Sequence, residues 1–148
     1  MIVNFELVTE VQRLLRRDFA LADKTLLNPN NTNPLIDGEF VALNTAYQIA
    51  RAGNQVLAFA VFAERGRFDT QSIGKTTVLF GGTYEVDTRV FDSTGLALGA
   101  GLQTNNNVTV DGKVKSGVSN HAGGPVIGYV TRLPANNGGR LRFIQTLV

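Results

Sequence analysis

The chain has 148 residues, enough for one domain whose core needs no covalent staples. It contains no cysteine and a single histidine, which excludes disulfides and thiolate metal sites and leaves zinc without a ligand set. The net charge is +2 but uneven: residues 1–111 hold nine basic and twelve acidic side chains, whereas Lys113, Lys115, Arg132, Arg140 and Arg142 follow with no acid among them.

Taken in chain order, the opening "MIVNFELVTEVQRLLRRDF" has early acids and no apolar run of signal-peptide or membrane-span length. Its Leu7, Val8, Val11, Leu14 and Leu15 fall at helical spacing, while Val8, Thr9 and Val11 favour extended chain. Either a short amphipathic helix or an extended segment satisfies this pattern over residues 5–17. The following "LADKTLLNPNNTNPL" lacks alternation, and Pro29 and Pro34 force their predecessors extended. Residues 1–36 therefore read as an N-terminal arm that leaves the body and lies on a neighbour, with a loop across its own barrel as the competing reading.

From residue 37 to 148 the pattern is a body of short strands. "EFVALN" (39–44) and "QVLAFAVFAE" (55–64) come first, the second apolar on both faces as a buried central strand is. "TTVLF" (76–80) follows, then "TYEVDTRVFD" (83–92), where Tyr84, Val86, Thr88 and Val90 alternate with Glu85, Asp87 and Arg89. "GLALGAGL" (95–102) reads as a weaker, glycine-interrupted strand. In "NVTVDGKVKSGV" (107–118), Asp111-Gly112 between alternating segments signals a hairpin with a primed turn. "VIGYVTRL" (126–133) and "RLRFIQTLV" (140–148) make a second hairpin across "PANNGG". The expected fold is all-β, a compact barrel or sandwich of about eight short antiparallel strands.

Three stretches invite a chemical reading. "SIGKTTVLF" (72–80) contains Gly74-Lys75-Thr76, the tail of a phosphate-binding loop. The glycine that such a loop needs five residues earlier is Asp69, and a strand, not a helix, follows. His121 in "SNHAGGP" lies near Ser119, with Asp111 across the hairpin, yet proximity in a glycine-rich loop does not build a nucleophile–base–orienter set. Glu85 and Asp87, with Glu39 or Asp69, are the carboxylates that could hold a hard cation or act as acid and base, but alternation already accounts for the first two as a solvated face beside Arg89. No catalytic set, cofactor or metal is expected.

The combination of "LIDGEFVALN", "VFAERGRFDTQSIGKTTVLFGG" and "TYEVDTRVFD", continuing through "GLALGAGL" to "GYVTRLP" and "LRFIQTLV", resembles the small head proteins of tailed bacteriophages. These are decoration or cement proteins of the outer capsid surface. The resemblance implies a β-rich body, usually a homotrimer, docked where major capsid subunits meet and assembled in the host cytoplasm onto the virion. It implies clamping, in which many modest contacts are strengthened by linkage. A minor head or tail structural protein is the neighbouring possibility. The expected contacts are Arg13, Arg16 and Arg17, because the guanidinium fork pairs carboxylates, with Leu14 and Leu15 as apolar anchors. Lys113, Lys115, Arg140 and Arg142 form a second set, facing an acidic partner. No membrane and no nucleic-acid partner is expected. A single-stranded nucleic-acid or polysaccharide-binding barrel is the alternative, and it needs Tyr129 and Phe143 displayed as a stacking pair.

Overall fold

The computed structural model describes residues 4–8, 16–51, 61–63, 74–79 and 82–147. Among them the strands are β1 (Phe5–Leu7), β2 (Arg16–Leu21), β3 (Phe40–Leu43), β4 (Gln48–Arg51), β5 (Val61–Ala63) and β6 (Lys75–Leu79). After these come β7 (Gly82–Thr88), β8 (Gly101–Val110), β9 (Lys113–Asn120), β10 (Gly128–Arg132) and β11 (Leu141–Leu147). They form two curled sheets. One runs β1-β7-β11-β10-β8-β9, and the other is a ring, β2-β4-β3-β5-β6, closed where β6 pairs back onto β2. The all-β expectation holds.

Alternation sets the core-facing side of β7 and β11. On β7, Tyr84, Val86 and Thr88 point inward, opposite Gln145, Phe143 and Leu141 of β11. The Asp111-Gly112 turn between β8 and β9 has φ of 50° and 77° at its two residues, so both sit in the left-handed region that a primed hairpin turn requires. The chain therefore reverses where the Asp-Gly signal sits.

The ring and the six-stranded sheet share a wall. Neighbouring residues on β3 and β6 point to opposite sides, as the two-residue repeat of a strand dictates. Phe40 and Leu79 pack with Tyr84, Val86, Leu102, Val130, Leu141 and Phe143 against the large sheet. Val41 and Val78 face the other way, onto Phe19, Leu21, Leu27, Leu35 and Ile49 inside the ring. A strand buried on both faces has no polar alternation to show.

A third, smaller cluster of Val90, Val108 and Val110 lies under the segment after β7. That segment lies along the outer edge of β9, where Val118 N–H donates to Val90 O and Asp92 N–H donates to Val118 O. The approach is so close that a Cβ on Gly117 would fall 2.2 Å from the Val90 carbonyl oxygen, which only glycine permits.

Several expectations need correction. Residues 93–100 of the "GLALGAGL" region are turns and irregular chain, and β8 begins only at Gly101. β4 was not anticipated, and its pairing with β2 is parallel, so the strands are not all antiparallel. The described part of residues 1–36 is not an arm clear of the body. β1 pairs with β7, β2 belongs to the ring, and Leu21, Leu27 and Leu35 are buried in the ring core. Between β2 and β3 the chain makes a 3-10 turn, Lys24–Leu27, capped by the Asp23 carboxylate on Thr25 N–H. Short asparagine-rich turns then carry the buried leucines across, and this local structure lacks a period that sequence reading could detect. The boundary expected after residue 36 thus falls inside one packed unit. Over residues 5–17, the described portions are strand at Phe5–Leu7 and from Arg16 onward, and residues 9–15 lie outside the described residues.

Candidate functional site

The charged side chains converge on two junctions. At the first, Asp87 of β7 stands opposite Arg142 of β11 and accepts from its Nε at 2.8 Å and its Nη2 at 3.0 Å. Asn137 Nδ2, from the turn between β10 and β11, donates to the same carboxylate at 2.8 Å and to Arg140 O at 3.0 Å. Arg140 lies 3.7 Å from Asp87 and reaches across to Glu6 of β1 at 2.8 Å. Asp87 is only 2% exposed. Burial pushes its carboxyl up, but hydrogen bonds from Arg142 and Asn137 and the charges of both arginines outweigh this and hold it below the usual carboxylate range. Asp87 is therefore not part of a solvated face, as alternation alone suggests. The turn folds over it.

The second junction joins the two sheets. Glu39, fully buried just before β3, accepts from Arg51 Nε at 2.7 Å and Nη2 at 3.2 Å. It also accepts from Ser116 N–H of β9 and Ile36 N–H, each at 2.9 Å. The same Arg51 donates to Asn33 O and Pro34 O at 2.8 and 3.0 Å, and Lys115 Nζ donates to Pro34 O. Asn33 Nδ2 closes the seam on Val114 O at 2.7 Å. A buried carboxylate with this set of donors is a joint, satisfied on every side.

The residues expected to touch a partner are distributed quite differently. Arg13, Leu14 and Leu15 lie outside the described residues, in the connection between β1 and β2. The backbone of Arg16 pairs with Leu79, and Arg17 is exposed with its guanidinium 5.0 Å above the Phe19 ring. Lys113 is exposed beside the hairpin tip. Lys115 is only 3% exposed and bonded to the chain's own Pro34, and Arg140 and Arg142 are engaged with Glu6 and Asp87. For these three the reading as outward contacts is corrected: Lys115 turns inward onto a backbone carbonyl, and Arg140 and Arg142 pair with earlier acids of the same chain. Glu39 was read only as a candidate cation or acid–base carboxylate, and Arg51, Asn33 and Asn137 were missed, because the partners that make them junctions are not adjacent in sequence. Only strand pairing brings them together.

The chemical candidates do not assemble among the described residues. Asp111 and His121 flank opposite ends of β9, a strand of eight residues, and so stand roughly 25 Å apart. Asp111 pairs instead with Arg89 at 3.2 Å, and His121 Nε2 donates to Gly124 O at 2.5 Å. Glu85 accepts from the Thr131 hydroxyl at 2.8 Å. Gly74, at φ +68°, is a turn feeding β6. Phe143 is fully buried while Tyr129 is 47% exposed, so they form no stacking pair. No group of three His, Cys, Asp or Glu side chains able to hold a metal ion occurs among the described residues. No family model, no curated protein and no solved structure matches this chain.

Proposed function

We propose that the protein is a structural component of a tailed-phage virion, a clamp on the outer capsid that stabilises contacts between major capsid subunits. The observation that supports this reading is the two-junction bracing. Buried Asp87 ties β7 to β11, with Arg140 extending the contact to Glu6 of β1, and buried Glu39 ties the ring to β9. Polar groups used this way make a rigid body whose work is to keep its shape under stress. Contact falls to the body surface and to the connection that carries Arg13, Leu14 and Leu15, with Arg17, Lys113 and Arg132 as exposed cations.

The test is attachment. Empty capsids lacking the protein are mixed with the wild type and with a variant carrying Arg13→Ala, Leu14→Ser and Leu15→Ser, then sedimented. The wild type is expected to pellet with the capsids, and the variant to stay largely in the supernatant while remaining folded by circular dichroism. Failure of the wild-type protein to bind would overturn the reading. Light scattering in parallel is expected to return the mass of a homotrimer.

A further inference from the structure

Of the thirteen asparagines in the chain, only Asn137 is followed by glycine. Glycine leaves the next backbone nitrogen unshielded, so an Asn-Gly pair is the one most prone to cyclise. Here the amide at risk is also the latch of the first junction. Its Nδ2 is held between Asp87 Oδ1 and Arg140 O, while Gly138 and Gly139 stand exposed at φ +65° and +82°.

We infer that Asn137 is a self-modifying latch, protected by Asp87 while the turn is closed and converted irreversibly in proportion to the time the turn spends open. In the reaction the Gly138 nitrogen attacks Asn137 Cγ, forming a C–N bond. Nδ2 leaves as ammonia and carries away the proton lost from Gly138 N–H. Water then opens the five-membered imide at either carbonyl, leaving aspartate or isoaspartate at 137.

Either product replaces a donor with an acceptor carrying negative charge, set against Asp87 and Arg140 O. The groups facing it are Asp87, Arg140, Arg142 and, beyond Arg140, Glu6. The two arginines must then serve an additional carboxylate, and the turn loses both hydrogen bonds donated by Nδ2. The latch cannot be reset, because the ammonia is lost. The result is a record of how long this edge of the sheet has stood open, written into the chain as it ages.

The experiment follows the conversion of Asn137 by peptide mass spectrometry in mildly alkaline buffer, for the folded protein and for the same chain unfolded in urea. Conversion in the folded protein is expected to be at least about tenfold slower, since closing the turn withholds the amide. It is expected to accelerate in Asp87→Asn, which loosens the hold on Nδ2. Equal rates in folded and unfolded chains would overturn the inference. So would an aged fraction, separated by ion exchange, that melts at the same temperature as the unmodified one. Asn137→Asp is expected to melt below the wild type, as the aged fraction does. Should that variant not fold, the comparison of aged and fresh native fractions decides the matter alone.

Discussion

Asp87 and Arg142 face each other across β7 and β11, joined by two nearly parallel hydrogen bonds of 2.8 and 3.0 Å. Such a fork is stronger than two separate bonds because one rigid guanidinium satisfies both carboxylate oxygens at once. The pair sits beneath a turn that supplies Asn137, and Arg140 extends the contact to the edge strand β1.

Replacing Asp87 with Asn keeps the shape and removes the charge that two arginines and an amide converge upon. Urea unfolding is expected to show a loss of about 2 kcal/mol, within the range for hydrogen bonds to charged groups. An unchanged midpoint would mean that the arginines are as well solvated without Asp87 as with it.

The same carboxylate sets a pH dependence. Its folded pKa lies below the unfolded value of about 3.9, so its stabilising contribution is complete at neutral pH. It is lost as the pH falls below the unfolded value and through the lowered folded one. Acid titration of the wild type is expected to be steeper below about pH 4 than that of Asp87→Asn, measured by fluorescence or circular dichroism. Parallel curves would contradict this assignment.

Glu39 is the buried anchor between the sheets. Glu39→Gln removes the charge facing Arg51 and turns one acceptor into a donor against N–H groups. The expected cost is about 3 kcal/mol, as for breaking a buried pair from one side. Hydrogen exchange should rise first at whichever of Ser116 and Ile36 faces the new amide nitrogen, since their N–H groups bond to different oxygens of Glu39 and one oxygen remains. Exchange that rises evenly over the whole chain would argue against a local joint.

Gly117→Ala places a methyl 2.2 Å from a backbone carbonyl that cannot step aside without breaking the Val90–Val118 contact. A loss of about 2–3 kcal/mol is expected in thermal or urea unfolding. Wild-type stability in this variant would show that the 90–92 segment moves freely off the edge of β9.

Gln145 offers the opposite experiment. It is fully buried opposite Tyr84, and neither its Nε2 nor its Oε1 finds a hydrogen-bond partner among the described residues. Gln145→Met has similar length and carries no desolvated amide. It is expected to raise stability by about 1–2 kcal/mol. Destabilisation would reveal that the amide has a bonded partner in solution.

Much of the strand pattern was legible because it is local. "TYEVDT" could be read as a half-buried strand from its alternation, and Asp111-Gly112 marks its turn by backbone preference alone. β1 and β4 were illegible at three and four residues, too short for a period to register. β2 was illegible because "RRDFAL" places Arg17 and buried Phe19 on one face, with the guanidinium over the ring, which blurs the alternation. "GLALGA" misled in the other direction, since apolar composition does not supply the neighbour that a strand needs.

What the residues determined unaided was the class of the molecule. β-branched and aromatic runs broken by glycine and asparagine allow sheets and little else, and the lack of cysteine leaves stability to packing and polar contacts. The tertiary structure decided the destination of the charges. Acids early in the chain and bases late in it look like an invitation to a partner until strand pairing sets Asp87 beside Arg142 and Glu6 beside Arg140. Electrostatic attraction at such distances depends on separation in space, and separation in sequence carries almost no information about it.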